Sequence, residues 1–274
     1  MLRDLLTELS QQRSTKADRR YRQTAATLIA LVSANGGTGK TTLAAGLAKT
    51  LQNPGARTLA IDLDPQGALP NHLGTPPRAP GLAQLLAPGD SWNTYCTPGY
   101  SHSECLGYGM ADEAAYRTLQ QQMLEDRDWL GRHLAGMDLG ERDTVILDTP
   151  SGASEATLQA IQVADMVLVV SLADGASYLA LDSLPQGLGA RAPCTRHVLN
   201  QVDESRTFCE DMVMLFEQRL GSALIGSVRL DHQLRESLAY GRDPLLRMPQ
   251  GIGCRDVNTL AGTLRELLGE RAAQ

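Results

Sequence analysis

Residues 34–42 read Ala-Asn-Gly-Gly-Thr-Gly-Lys-Thr-Thr, and this stretch decides the predicted fold. It follows an apolar run of strand length at 28–33 and leads into a helical pattern over 40–51. A glycine-rich turn between a buried strand and a helix is the structural context of a phosphate-binding loop. We expect its three glycines to let the backbone bend so that successive N–H groups point at phosphate oxygens.

Side chains of the same stretch complete the predicted phosphate site. The helix that starts near Lys40 adds the positive end of its dipole, and Lys40 is the expected catalytic contact to the β- and γ-phosphates. The Thr41 hydroxyl is a predicted ligand of Mg²⁺, and Thr42 is placed to contact the α-phosphate. The strict form of the motif has glycine where this chain has Ala34. The predicted nucleotide-binding residues of the loop are Asn35, Gly36, Gly37, Thr38, Gly39, Lys40, Thr41 and Thr42.

Carboxylates end two further predicted strands, with Asp-Leu-Asp-Pro-Gln at 62–66 and Asp-Thr-Pro-Ser-Gly at 148–152. In a parallel sheet these strand ends share the edge at which ligands bind. Asp62 and Asp148 are therefore predicted to hold Mg²⁺ together with the threonine of the loop. We expect Asp64 to orient or deprotonate the attacking water as a second catalytic residue. The alternative for each aspartate is that it caps a turn.

Short apolar runs alternate with helical stretches along most of the chain, a pattern that predicts an α/β fold with a mostly parallel, doubly wound sheet and helices on both faces. The predicted domain spans 28–274 and contains a loop-rich insertion at 65–112 with a short hairpin or strand pair. The predicted strands are 28–33, 58–63, 144–147, 166–172, 197–199 and 223–228. The predicted helical stretches are 40–51, 116–134, 204–220 and 257–272.

Residues 1–27 are predicted to form an amphipathic and basic extension. Leucines at 2, 5, 6 and 9 recur on one helix face, and an arginine-rich stretch follows them. Such a helix either folds against its own domain or docks on a partner or a membrane surface.

Composition excludes several classes of protein. The chain has 274 residues, 42% of them hydrophobic and 20% charged, so it is globular rather than disordered. No stretch approaches the roughly 20 apolar residues of a membrane span and no secretory signal is visible, so we expect a cytoplasmic protein. The net charge of −6 counts against bulk DNA binding.

The five cysteines are scattered and contain no CxxC pair, which favours reduced thiols over a disulfide framework. Cys96, His102 and Cys105 lie close enough in sequence to suggest zinc, but no fourth ligand is evident. An iron–sulfur cluster bridging a dimer requires cysteines near the switch segments, and none follows Asp148 within 40 residues.

The motifs together resemble the deviant Walker A ATPases typified by MinD and ParA, which belong to the SIMIBI class of P-loop NTPases, over about residues 28–270. Several segments are similar to one branch of that family, the MinD-like proteins of bacterial cellulose-synthesis operons (BcsQ, also called YhjQ). These segments are 62–69 with His72 and Gly74, 172–178, 198–203 and 231–240.

The resemblance implies a nucleotide cycle and a set of partners. Two subunits of the family sandwich two ATP molecules with Mg²⁺, so a homodimer with ATP is expected. By the same match, Asn200 would hydrogen-bond the adenine edge, and Arg229 would help to close over the base. The branch implies accessory proteins of the cellulose synthase and secretion complex as partners. It implies indirect membrane association, with recruitment to the inner-membrane face or the cell pole.

Asn35 departs from the family pattern, because the family has there a basic residue that reaches the phosphates of the other subunit. Asparagine supplies no charge to offset the charge that develops in phosphoryl transfer. The departure therefore implies a protein that still binds ATP but hydrolyses it slowly.

Three functions are consistent with these features. The first is an ATP-dependent dimerising switch that supports assembly, localisation or regulation of a cellulose synthase complex. The second is a ParA-like DNA-partition or other positioning ATPase, which the acidic charge disfavours. The third is an adaptor that keeps nucleotide only as structural support and recruits partners through a helix at 2–9.

Overall fold

The computed structural model describes residues 24–76, 78–85, 91–182 and 194–272. Nearly all of the predicted extension at 1–27 lies outside these residues. The strands are β1 (Thr27–Val32), β2 (Thr58–Asp62), β3 (Thr97–Pro98), β4 (Glu104–Leu106), β5 (Thr144–Asp148), β6 (Met166–Leu172), β7 (Thr195–Val202) and β8 (Leu224–Arg229). The helices are α1 (Lys40–Thr50), α2 (Leu69–Leu73), α3 (Glu113–Glu125), α4 (Trp129–Ala135), α5 (Glu155–Val163), α6 (Gly175–Ala180), α7 (Thr207–Leu220), α8 (His232–Ala239), α9 (Pro244–Arg247) and α10 (Ile252–Ala272).

The strands form one sheet in the order β3-β4-β2-β5-β1-β6-β7-β8. Every neighbouring pair is parallel except β3 and β4, which are antiparallel. This architecture confirms the predicted mostly parallel α/β fold. Because the strands run in one direction, the carboxyl ends of β1, β2, β5 and β7 meet at one edge of the sheet.

Both faces of the sheet are covered, as the alternating side chains of the central strand β1 show. Leu28, Ala30 and Val32 pack into a cluster with residues of α3, α4 and α5. Ile29 and Leu31 point to the other face, where α1 and α10 cover them. A strand buried on both faces reads as a continuous apolar run, which is why the sequence marks β1 clearly.

The region 65–112 contributes the two outermost strands on one side of this sheet. Its strands β3 and β4 pair with each other, and β4 extends the sheet beside β2. The hairpin separates the two cysteines considered above as zinc ligands: Cys96 packs against the α3–α5 face, whereas Cys105 is buried on the α1 face. The two thiols therefore point away from a common site.

The predicted helical stretch 116–134 is helical but divides into two helices, because the chain breaks between α3 and α4. The buried side chain of Gln159 fills the break: its amide donates to the carbonyls of Met123 (2.8 Å) and Asp126 (2.9 Å). Its oxygen accepts the N–H of Leu130 at 2.9 Å. Gln159 thus satisfies backbone groups that a continuous helix would have paired internally.

The described residues contain no helix that combines the length and the apolar character required to cross a membrane.

Candidate functional site

The loop at 34–39 joins β1 to α1 and has the backbone of an anion-binding turn. Gly37 and Gly39 have φ angles of 75° and 78°, a left-handed conformation that favours glycine. Gly39 is also the residue that precedes the first turn of α1, where the backbone N–H groups have no partner within the helix. A glycine turn of this kind followed by a helix N-terminus is the arrangement in which proteins present backbone donors to an anion.

The predicted loop residues differ in exposure. Asn35, Gly36 and Gly37 are exposed, Thr38 and Lys40 are buried, and Gly39, Thr41 and Thr42 are partly buried. The exposed stretch is the part of the loop that a ligand, or a second subunit, could contact directly.

Lys40 is buried beside the end of β5. Its Nζ lies 3.3 Å from Oδ1 of Asp148, and it also donates to the backbone carbonyl of Thr149. The ammonium group therefore has two acceptors from the Asp148–Gly152 segment.

Asp148 is fully buried at the end of β5 and, like Asp62, has no exposed surface. Burial raises the pKa of its carboxyl, while the neighbouring Lys40 charge and the Thr41 side chain lower it. Its second oxygen, Oδ2, is buried and accepts no hydrogen bond. A buried carboxylate oxygen without a partner is costly unless a cation satisfies it, so the residues here fit Mg²⁺.

Asp62 lies on the neighbouring strand, level with Asp148 in the register of β2 and β5. Burial, and then the charge of Asp148, raise the pKa of Asp62 well above its ordinary value. Its two oxygens accept the N–H groups of Asp64 (3.1 Å) and Leu69 (3.0 Å). Asp62 therefore caps the turn after β2, and its predicted contact with Mg²⁺ stays a prediction.

Asp64 lies at the rim of the site, where it is only partly buried. Its Oδ1 accepts the N–H of Gln66 at 2.9 Å, which closes the turn that follows β2. Asp64 is thus placed at the same sheet edge as Asp62 and Asp148, as the sequence predicts.

Two hydrogen bonds join the Asp148–Gly152 segment to β1 and to the start of the loop. The hydroxyl of Thr149 donates to the carbonyl of Leu31 at 2.7 Å, and the N–H of Gly152 donates to the carbonyl of Ser33 at 2.8 Å. Gly152 has a φ of 75°, which lets the chain turn back toward the loop. The role of Thr149 is absent from the sequence analysis.

The end of β7 contacts the outer side of the loop through two consecutive amides. Asn200 donates from Nδ2 to the carbonyl of Thr38 at 2.7 Å, and Gln201 donates from Nε2 to the carbonyl of Gly37 at 2.9 Å. The family resemblance assigns Asn200 to the adenine edge, and Gln201 is not among the predicted site residues. The structure shows Asn200 holding the loop, and its contact with adenine stays a prediction.

Arg229, at the end of β8, is held in place by acidic side chains. Its guanidinium donates to both oxygens of Asp256 at 2.9 and 2.7 Å and lies 3.7 Å from Glu204. These hydrogen bonds raise the pKa of Arg229 above its usual range. Its predicted role in closing over the base stays a prediction.

A small cavity of about 40 Å³ runs along α1 from the loop toward the end of the helix. It is lined by Thr42, Gly46, Lys49, His72, Asn200 and Arg242, among others. Lys49 is buried here in an ion pair with Asp243, with Nζ 2.9 Å from Oδ1. Burial and the Lys49 charge lower the pKa of His72 to about 4. Because 194 positions separate Lys49 from Asp243, no sequence pattern predicts their pairing.

Comparison with known proteins identifies the family and the fold of this chain. Residues 26–263 match the family model described as cellulose biosynthesis protein BcsQ. The chain is 28% identical over 164 residues to the cellulose biosynthesis protein BcsQ of Salmonella typhimurium, covering 58% of this chain and 65% of that protein. It is 31% identical over 165 residues to the chromosome-partitioning ATPase Soj of Thermus thermophilus, covering 57% of each. Both alignments span less than two thirds of the relative.

Among solved structures, the fold is similar to that of the septum site-determining protein MinD of Pyrococcus horikoshii complexed with Mg-ADP. The TM-score is 0.69 at 20% sequence identity, and the match covers 89% of this chain and 98% of that chain. At this identity the likeness shows the shared MinD/ParA-type fold alone.

Proposed function

The chain belongs to the cellulose biosynthesis protein BcsQ family, and from that premise we propose that it is an ATP-dependent switch. In this proposal it binds ATP with Mg²⁺, forms a homodimer around the nucleotide and supports the assembly, localisation or regulation of a cellulose synthase and secretion complex.

The observation that carries the proposal is the convergence of Lys40, Asp148 and the glycine loop at one sheet edge. Lys40 would exchange its contact with Asp148 for the β- and γ-phosphates, while the N–H groups of the loop and of the first turn of α1 bind the phosphate oxygens. Asp148 and Thr41, with Asp62, would hold Mg²⁺. When bound, this ion would offset phosphate charge during transfer.

Hydrolysis in this proposal is slow. Asp64, at the rim of the site, would orient the attacking water or accept its proton. Asn35 is exposed on the loop and would face the phosphates of the second subunit. Because an amide supplies hydrogen bonds without positive charge, we expect weak stabilisation of the transition state in trans. Slow turnover would keep the ATP-bound dimer assembled for longer.

The proposed partners are accessory proteins of the cellulose synthase and secretion complex. The protein would work in the cytoplasm and reach the inner-membrane face or the cell pole through those partners. The BcsQ family match supports this process, and the resemblance of the segments around 62–69 and 198–203 adds to that support.

A second candidate function is that of a ParA-like positioning ATPase that binds DNA in its ATP state. The 31% identity to a chromosome-partitioning ATPase favours it, whereas the net charge of −6 opposes it. A salt-sensitive shift of duplex DNA that requires ATP would support this candidate over the first.

Light scattering of the purified protein with ATP, ADP or no nucleotide tests the switch directly, each with Mg²⁺ present. We expect the wild type to be a dimer with ATP and a monomer with ADP or without nucleotide. Lys40→Ala should be a monomer under all three conditions. Arg117→Ala, a change on the exposed face of α3, is the matched control and should dimerise like the wild type. If the molar mass of the wild type is the same under all three conditions, this result would contradict the ATP-dependent switch and favour the adaptor function.

A further inference from the structure

Gln201 is the extra residue of a β-bulge at the end of β7. Its neighbours Asn200 and Val202 pair with the consecutive residues Val228 and Arg229 of β8, so Gln201 itself is skipped. Its φ is 56°, a left-handed conformation that is uncommon for a residue other than glycine. Adjacent strand residues normally point to opposite faces, and the bulge removes that alternation.

As a result, two adjacent side chains reach one target. Asn200 and Gln201 donate to the carbonyls of Thr38 and Gly37, which are themselves consecutive. The left-handed conformation of Gln201 therefore directs its side-chain amide toward the loop, because a regular strand would turn this amide away.

These two contacts determine which way the loop's peptide groups point. A trans peptide directs its C=O and its N–H in opposite directions. The Gly37 carbonyl shares its peptide group with the N–H of Thr38, and the Thr38 carbonyl shares its group with the N–H of Gly39. Holding both carbonyls on the outer side turns both N–H groups toward the concave side, where an anion would bind.

The loop needs this support because its own residues do not fix its conformation. Gly37 and Gly39 both have positive φ angles, and glycine adopts positive and negative φ with similar ease. A reversed peptide group would aim a carbonyl oxygen at the phosphates and repel them. Donors outside the loop remove that alternative conformation.

We propose that Gln201 is a positioning residue for phosphate binding, which acts by holding the Gly37–Thr38 peptide group so that its N–H faces the nucleotide. This inference rests on the proposed nucleotide-binding function and adds to it a residue that contacts no nucleotide. Asn200 supports the next peptide group in the same manner.

The test compares three variants of the full chain: Gln201→Ala and Gln201→Gly remove the amide, and Gln201→Lys retains a donor of similar length. Calorimetry measures the affinity for ADP with Mg²⁺ and for inorganic pyrophosphate. We expect the first two variants to bind both ligands roughly five- to tenfold more weakly, and the lysine variant to lie within roughly twofold of the wild type. The affinity for both ligands should fall because the affected N–H groups would contact phosphate and not the base.

Thermal unfolding without ligand separates positioning from general destabilisation. Gln201→Gly relieves the positive φ, so its midpoint should not fall below that of the wild type even though its ADP affinity falls. Asp138→Gly is the matched control for strain: its φ is 51° and it precedes β5, at the opposite sheet edge, so its ADP affinity should be unchanged.

Three outcomes would overturn this inference and leave the proposed function intact. They are wild-type affinity in Gln201→Ala and Gln201→Gly, a loss of affinity confined to ADP, and a Gln201→Lys variant that binds as weakly as Gln201→Ala. A folded wild type that binds neither ligand would overturn the proposed function and this inference together.

Discussion

Lys40 and Asp148 form a buried ion pair in which Nζ lies 3.3 Å from Oδ1, with side-chain exposures of 5% and 0%. Each partner is also the group that the proposed function assigns to a ligand, Lys40 to phosphate and Asp148 to Mg²⁺. Binding of either ligand therefore has to loosen this ion pair. Binding of phosphate and binding of the metal should favour each other, because each frees the other's group.

The first prediction concerns this linkage. ADP affinity of the wild type should increase roughly tenfold when Mg²⁺ is present, and Asp148→Asn should lose most of that increase because the neutral amide is a poor Mg²⁺ ligand. Titration calorimetry with and without Mg²⁺ measures both. Asp64→Asn, at the rim of the site, is the control and should keep the increase. An Asp148→Asn protein with the full Mg²⁺ response would show that the metal binds elsewhere.

The second prediction concerns Asn35. Replacing the exposed Asn35 by lysine places a positive charge where the dimer needs it, so the rate of phosphate release should rise roughly tenfold or more. Asn35→Gln, which lengthens the side chain without charge, should stay near the wild-type rate. Turnover that is no faster in Asn35→Lys would refute the explanation of slow hydrolysis.

The third prediction compares two glycines of the loop. Gly37→Ala and Gly39→Ala both place a methyl group at a positive φ, which costs about 1–2 kcal/mol. The new Cβ at position 39 would also clash with Nδ2 of Asn200, whereas a Cβ at position 37 would have no such neighbour within 4 Å. Urea denaturation should therefore show a larger loss of stability for Gly39→Ala. Equal losses would mean that Asn200 moves aside freely.

The fourth prediction concerns the buried pair of Lys49 and Asp243. Lys49→Met leaves the carboxylate of Asp243 buried without a counter-charge and should lower the free energy of unfolding by about 3–5 kcal/mol. In Lys49→Met/Asp243→Asn the charge is absent, while the amide oxygen can still accept the N–H of Leu245. The double variant should therefore be more stable than the single one in urea denaturation. A double variant less stable than Lys49→Met would argue against charge burial as the cause.

The fifth prediction concerns His72, whose pKa is lowered to about 4 by burial and by Lys49. Because the unfolded state takes up this proton near pH 6.5, the neutral His72 contributes stability above that pH. The contribution is lost as the pH falls from 6.5 toward 4, by up to about 3 kcal/mol. The unfolding free energy of the wild type minus that of His72→Gln should therefore fall by up to about 3 kcal/mol between pH 7 and pH 4.5. A constant difference would mean that His72 titrates normally.

Local patterns explain why the centre of the fold could be predicted from the sequence. Strand β6 matches the predicted 166–172 and α1 starts at the predicted Lys40, because an apolar run or a glycine loop is readable from neighbouring residues. The approach of Asp148 to the phosphate loop could be predicted for a similar reason, since parallel strands bring their carboxyl ends to one edge. The sequence pattern does not predict the ion pair of Asp148 with Lys40.

The remainder depends on contacts between distant segments. The break between α3 and α4 is satisfied by Gln159, which lies 29 positions beyond Leu130 and 33 positions beyond Asp126 in the chain. The amide of Gln201 reaches Gly37 because of the β-bulge. The residue types in β7 do not predict the positive φ of Gln201. Tertiary contacts override local preference at these positions, and a single sequence does not display them.

The burial of two lysines has a practical consequence for labelling. The sequence has lysine only at positions 16, 40 and 49, and the latter two are both enclosed in ion pairs. Amine-directed reagents require an accessible, uncharged amine, so within the described residues no lysine side chain should conjugate readily. A succinimidyl dye should therefore leave the lysine of the phosphate loop unmodified while the protein stays folded.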